Sequence, residues 1–402
     1  MKKYRYVVLG GGVTAGYSAR EFVEQGAGKG EFAILTADAY LPYDRPPLSK
    51  GFLTGDKDAE GVLIEPESFY DEHGIDVHLN CCATGIDTEA GVIATEGGEK
   101  FGYEKLLLAT GSEIRQFDLE GAQDAGIKYL RTLDDAKQIR KAGIDADAPV
   151  VIGGGFIGLE VAASLAQHSK KVRILFPEEY VMQRVFTPRM AAFFTGYYRK
   201  HGVELLPGSA VKKFATKNNA VAIHLASEQV IETDLVVAGI GVKPAVGLFM
   251  NSPIGVEDGV CVNEFLETTV KGVYAAGDVA AFPNFTTGKR MRVEHWQNAV
   301  DQGKLAARNM MGAHEAYDAP PYFFSDMFDL SWEFWGRIEE DLRALHAGNV
   351  EEGSFSTWWT DDDQVVRAVF VLNRDDEERE LAKTCVSEGK KLPEAISKRS
   401  EE

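Results

Sequence analysis

The residues best placed to do chemistry are glycines. Gly10 and Gly12, followed by Ala15, stand at the spacing Gly-x-Gly-x-x-Ala directly after the apolar run Val7-Val8-Leu9. Gly10 permits a tight turn, Gly12 lets backbone approach a phosphate, and Ala15 lets the next helix pack close to the strand. Free N–H groups and the helix dipole then attract a pyrophosphate without any basic side chain. The pattern returns 143 residues later, where Gly153, Gly155 and Gly158 follow Val150-Val151-Ile152 and Phe156 and Ile157 open a second helix. One such turn is weak evidence, because glycine turns also join strands to helices for packing alone. Two in matching context predict two dinucleotide sites.

Carboxylates complete the pattern. An acid at the end of the second strand of such a unit accepts the adenosine ribose hydroxyls. Asp38 holds this place after Glu31–Thr36, and Glu178 holds it after Lys171–Phe176. A turn or helix-capping aspartate is the plainer reading of Asp38. Glu178 repels a 2′-phosphate and so predicts NADH over NADPH; Glu179 strengthens this, and Arg173 or Arg184 would weaken it only by folding into the same pocket.

Between the two units runs Pro42-Tyr43-Asp44-Arg45-Pro46-Pro47-Leu48-Ser49-Lys50, whose three prolines stiffen a loop presenting Arg45 and Lys50. Ala109-Thr110-Gly111 ends a buried strand in a small-residue turn that admits a cofactor closely, with Arg115 and Arg131 beyond it. A second small-residue turn places Gly277 before Asp278, a candidate acceptor for a ribityl hydroxyl, and Glu294-His295-Trp296 opens a helix running to about Met311.

The elements that must hold these residues alternate strand and helix, which predicts an α/β fold. A helix is expected over Tyr17 to Gln25, short strands in a meander over 74–105, and more short strands over 203–242. Aromatic strands follow a boundary near Pro320-Pro321, and residues 388–402 read as a frayed polar tail. The chain has 402 residues, enough for two or three domains, and its net charge of −19 argues against nucleic-acid binding and mildly against an acidic protein partner. Cys81, Cys82, Cys261 and Cys385 show no C-x-x-C pair and no metal spacing, so no metal is expected; adjacent Cys81 and Cys82 read as a strand with opposite faces. No run approaches ~20 apolar residues, and the short run after Met1–Arg5 breaks at Gly10, so neither a membrane span nor export is expected and a cytoplasmic setting fits.

Assembled, these residues resemble the flavin-dependent pyridine-nucleotide oxidoreductases, in the branch holding ferredoxin and rubredoxin reductases, apoptosis-inducing factor and monodehydroascorbate reductases. The markers are Gly10–Gly16, Pro42–Lys50, Ala109–Gly111, Gly153–Glu160 and Tyr274–Asp278; Arg184–Pro188 and Pro321–Trp332 look most like the monodehydroascorbate reductases. The resemblance implies two Rossmann-like domains, an FAD domain over 1–115 and 247–316 and an inserted NAD domain over 116–246, plus an α+β C-terminal domain over 317–402. It implies FAD contacts from Gly10, Gly12, Ala15, Asp38, Arg45, Lys50, Ala83, Thr110, Gly111, Arg131, Gly277, Asp278, Glu294, His295 and Trp296. NADH contacts would come from Gly153, Gly155, Phe156, Ile157, Gly158, Glu160, Glu178 and Gly241. Lys50 and Glu160 are the implied catalytic pair, with Lys50 favouring reduced flavin electrostatically and Glu160 orienting it; a structural salt bridge is the plainer reading.

The resemblance also implies NADH as donor and a small one-electron acceptor such as monodehydroascorbate, in a monomer or homodimer. A ferredoxin or rubredoxin partner is the first alternative, and an NADH-responsive signalling flavoprotein the second. Two departures stand out. No cysteine lies in Pro46–Lys50, where disulfide reductases of this fold keep a redox thiol. The arginine and tyrosine that serve ascorbyl radical in the family fall at Val300 and Phe324.

Overall fold

Apolar runs that need cover on both faces become the parallel strands of this protein. The computed structural model describes residues 1–168, 171–217, 220–284, 288–339, 341–398 and 400–401. The chain divides into two compact units. One comprises Met1–Arg45, Ala59–Glu113 and Val242–Ala319, the other Pro46–Asp58, Ile114–Gly241 and Pro320–Glu402.

In the first unit, β1 (Lys2–Leu9) ends in the buried run Val7-Val8-Leu9. Helix α1 (Val13–Glu24) starts at once after the glycine turn, earlier than Tyr17, because Val13 is buried against Ala299 and Val300 and its turn is part of the core. Strands β2 (Phe32–Leu35) and β3 (Asp76–His78) follow, then β4 (Ala83–Asp87), β5 (Val92–Thr95) and β6 (Lys100–Leu108). The sheet runs β3-β2-β1-β6-β5-β4, parallel through β6 and antiparallel beyond it. The C-terminal end of β6 pairs in parallel with a strand from far along the chain, Val273–Ala275, in the register Leu106↔Val273 to Leu108↔Ala275. The helix Trp296–Met311 packs on α1 so closely that a Cβ on Gly303 would lie 2.6 Å from the Thr14 carbonyl oxygen. Cys81 and Cys82 lie in irregular backbone before β4 rather than on a strand, with Cys81 buried and Cys82 exposed.

The second unit holds β7 (Lys128–Tyr129), α2 (Leu133–Asp145), β8 (Val150–Ile152), α3 (Phe156–Leu165), β9 (Val172–Leu175), α4 (Pro188–Lys200), β10 (Val203–Leu206) and β11 (Val236–Ala238). Its parallel sheet is ordered β10-β9-β8-β11-β7. The same unit contains an antiparallel sheet built from β12 (Tyr322–Met327), β13 (Leu330–Gly336), β14 (Arg343–Asn349), β15 (Ser354–Thr360), β16 (Val366–Leu372) and the short β17 (Ser400–Glu401). The aromatic stretch 322–335, continuous in sequence, is a hairpin that turns at Phe328, whose φ is 57°. Within the expected frayed tail, Leu392 N–H donates to Gln364 and Ile396 is buried in the core of this sheet. That burial, and the antiparallel pairing of Ser400 and Glu401 with Ala347 and His346 of β14, correct the expectation; Arg399 and Glu402 lie outside the described residues.

Candidate functional site

The first glycine turn is a cradle only glycine can form. Gly10 has φ 121°, and a Cβ there would lie 2.1 Å from the Ala109 carbonyl oxygen. Gly12 is the N-cap of α1 with no side-chain hydrogen bond, which leaves the first N–H groups of the helix to an anion. Arg45 Nη2 stands 3.6 Å from where a Gly12 Cβ would be, adding a cation to the turn, and Ala15 is fully buried. This cradle fits the pyrophosphate of FAD.

Around it the same unit gathers most of the expected FAD residues. Asp38 Oδ2 accepts from Tyr43 Oη at 2.8 Å, and the Arg45 guanidinium lies 5.5 Å from the Tyr43 ring centroid. Tyr43 therefore ties the acid to the cation. Ser112 Oγ donates to Asp278 Oδ2 at 3.0 Å, and Gly277 N–H donates to the buried Gln302 Oε1. Thr110 Oγ1 donates to Ala245 O at 2.9 Å, while Gly111 sits in the left-handed region with φ 69°. Trp296 Nε1 donates to Asp44 Oδ1 at 2.7 Å and packs edge-on to Tyr17. Burial pushes the His295 imidazole down to about 4, against the pull of Asp278, so it is neutral at pH 7. Ala83 opens β4, and Glu294 is exposed and bonded to Arg292.

The second turn repeats the first. Gly153 has φ 128°, and a Cβ there would lie 2.2 Å from the Gly239 carbonyl oxygen. A Cβ on Gly158 would lie 2.0 Å from Gly153 O, so here the helix packs against the turn itself. Gly155, the N-cap of α3, has no atom within 4 Å of its Cβ position and no side-chain cap. Ile157 is 44% exposed in the first turn, and the Phe156 ring packs on Phe323 and Trp332. Glu178 is exposed, with no side-chain hydrogen bond or ion pair among the described residues. Arg173 donates to Glu232 O instead of turning toward it. Gly241, φ 96°, accepts from Arg115 N–H. An open anion cradle with a free carboxylate beyond it fits a nicotinamide dinucleotide.

Lys50 belongs to this second unit, and so does its partner. Its Nζ lies 3.4 Å from Glu160 Oε1 and 3.5 Å from Asp326 Oδ2, with the Phe324 ring centroid at 5.5 Å. Glu160 is buried in the second turn of α3, where an unpaired carboxylate would be expensive. It is fully met: Ser49 Oγ donates to Oε2 and Ser325 Oγ donates to Oε1 at 2.5 Å. Ser164 Oγ donates to Ser49 O at 2.7 Å, which fixes the serine to the helix carrying Glu160. Burial, reinforced by the Glu160 charge, pushes the Tyr198 phenol well above its ordinary range, and its hydroxyl donates to Leu159 O.

Sequence reasoning found Lys50 and Glu160 but not Ser49, Ser325 or Asp326. The available signal was a small polar pair, Ser325-Asp326, inside an aromatic strand. Arg131, expected at FAD, precedes the Thr132 capping box of α2 in the second unit, and Val300 is buried beside Val13 and Ala299.

The chain is similar to known proteins over nearly its whole length. The family model described as pyridine nucleotide-disulphide oxidoreductase matches residues 4–303, and one described as monodehydroascorbate reductase 3-like, C-terminal domain, matches residues 320–397. The chain is 36% identical to the seedling isozyme of monodehydroascorbate reductase from Cucumis sativus, over 95% of this chain and 94% of that one. It is 35% identical to monodehydroascorbate reductase from Pisum sativum, over 99% of this chain and 97% of that one. Among solved structures, a ferredoxin reductase from Rhodopseudomonas palustris is 28% identical with TM-score 0.91, covering 98% of this chain and 96% of that one. The covalent putidaredoxin reductase–putidaredoxin complex is 28% identical with TM-score 0.89, covering 97% and 94%. Proteins of this family use FAD and a nicotinamide dinucleotide. The chain belongs to the pyridine nucleotide-disulphide oxidoreductase family, as an NADH-dependent oxidoreductase with a C-terminal domain of monodehydroascorbate reductase 3 type.

Proposed function

We propose that this protein oxidises NADH and delivers the electrons singly to a small radical acceptor, monodehydroascorbate or a close relative. The observation that carries the reading is β12. This strand of the monodehydroascorbate reductase 3-like domain sets Phe324, Ser325 and Asp326 on the Lys50–Glu160 pair. Bound FAD supplies the chemistry of accepting one hydride and returning two single electrons, so one NADH serves two acceptor molecules.

The chain's own residues do the rest. Gly10, Gly12, Ala15 and Arg45 hold the flavin nucleotide's pyrophosphate, Asp38 its adenosine ribose and Asp278 its ribityl chain. Ala83, Thr110, Gly111, Gly277, Glu294, neutral His295 and Trp296 line the same cofactor. Gly153, Gly155, Phe156, Ile157, Gly158 and Gly241 hold NADH, and Glu178 selects it over NADPH. Lys50 supplies fixed positive charge to the reduced flavin, and Glu160 holds the ammonium in place. We assign the FAD domain to 1–115 and 247–316, the NAD domain to 116–246 and the C-terminal domain to 317–402. No helix among the described residues is long and apolar enough to cross a membrane, and a cytoplasmic monomer or homodimer fits the reading.

The resemblance to a ferredoxin reductase supports a second reading, with a ferredoxin or rubredoxin as acceptor, which the net charge of −19 disfavours for acidic partners. An acceptor screen at fixed NADH separates the two. Fast reduction of ascorbyl radical without an added iron–sulfur protein is expected, and turnover that appears only with such a protein would replace the first reading by the second. Lys50→Met should slow NADH-driven bleaching of the flavin by at least about tenfold while FAD stays bound, the scale of losing one preorganised charge. Unaltered bleaching in stopped flow would reduce Lys50 to a structural role.

A further inference from the structure

Lys50 faces two carboxylates, and only one of them is needed to neutralise it. Glu160 is buried and saturated, holding Lys50 at 3.4 Å and two serine hydroxyls. Asp326 is the surplus. Its side chain is 53% exposed against 17% for Lys50, and it still reaches Nζ at 3.5 Å. The strand pleat explains how one element grips both ends of the pair. Successive residues of β12 point to opposite faces, so Ser325 turns inward to Glu160 and Asp326 outward to Lys50. A strand that merely covered the ion pair would need neither group, and the cluster's formal charge would be zero rather than −1.

We infer that Asp326 is a positioning residue that holds Lys50 from the solvent side and tempers the positive charge Lys50 presents to the flavin. This rests on the proposed electrostatic role of Lys50. A tempered charge keeps the flavin potential lower than Lys50 and Glu160 alone would set it, which favours passing electrons onward after NADH has delivered them. Because Asp326 is half in water, its effect is screened and modest.

The test uses the FAD-loaded protein. Asp326→Asn should move the flavin midpoint potential in the positive direction, measured by dye-coupled spectroscopic titration. It should slow reoxidation by the acceptor about two- to fivefold, the range that exposed ion pairs reach, and change NADH-driven bleaching by a smaller factor. Asp326→Glu should restore both values. In a Lys50→Met background Asp326→Asn should change nothing further, since the effect runs through the lysine. An unmoved potential in Asp326→Asn, an equal shift in the Lys50→Met background, or parallel slowing of both half-reactions would overturn the assignment. A parent protein that fails to bleach with NADH would overturn the electrostatic reading and this inference together. A parent that bleaches normally confines any failure to Asp326.

Discussion

The two glycine turns are near copies in backbone and opposites in their surroundings. Both place glycine in the left-handed region, at 121° and 128°, with a carbonyl about 2 Å from the missing Cβ. Around the first, Arg45 stands over Gly12, Tyr43 ties Asp38, and Gln302 holds Gly277. Around the second, Gly155 faces open space, Ile157 is exposed and Glu178 has no side-chain partner among the described residues. On the proposed assignment, the walled first cradle holds the FAD that stays and the open second cradle the NADH that exchanges. The lesson is that the glycine motif sets anion binding, whereas side chains distant in sequence set residence.

The largest effects are expected at the first glycine of each copy. Gly10→Ala forces a Cβ against Ala109 O in a backbone region hostile to side chains, costing at least about 3 kcal/mol. Purified Gly10→Ala should lack flavin absorbance, whereas Gly153→Ala should stay yellow and lose NADH-driven bleaching by ~100-fold or more. Both losing flavin, or neither, would dissolve the division of labour. The third position of each motif differs as well. Ala15→Gly should retain FAD, with a stability cost of about 1 kcal/mol from the helix glycine. Gly158→Ala should raise the KM for NADH at least about tenfold, because its methyl meets Gly153 O. Next comes Glu178→Arg, expected to shift the NADH:NADPH ratio of kcat/KM by ~10-fold toward NADPH, with unchanged preference removing Glu178 from the pocket.

The smallest effect is confined to the second unit and is one of pH. His346 is buried, its Nδ1 2.9 Å from Thr357 Oγ1 and its Nε2 3.2 Å from Thr187 Oγ1, the cap of α4. Burial, then Arg189, hold its imidazole below the ordinary 6.5. The unfolded chain therefore takes up a proton near pH 6.5 that the folded chain refuses, so stability falls as pH drops below that value. Thermal unfolding across pH 5–7.5 should show this slope, flattened in His346→Gln; equal slopes would exclude His346 as the source.

Both cradles were legible because their requirements are local: glycine where φ is positive, small residues where helix meets strand. The Lys50–Glu160 pair was reachable only through family resemblance, since 110 residues separate its members. Ser49, Ser325 and Asp326 were not legible. Their roles depend on how the proline-rich loop, α3 and β12 meet, and a serine in a strand looks the same whether it faces a carboxylate or water. The hairpin at Phe328 was hidden because a phenylalanine with φ 57° is a conformation that sequence rules assign to glycine or asparagine. The C-terminal segment reads as frayed because its polar composition masks Leu392 and Ile396, which anchor it.

The late pairing of β6 with Val273–Ala275 has a consequence for how the protein is made. A ribosome adds about 5–20 residues per second, so Leu106, Leu107 and Leu108 emerge on the order of ten to thirty seconds before the strand that covers them. Through that interval the nascent chain offers an unpaired apolar edge, the kind of surface that chaperones bind and that neighbouring chains on a polysome can join.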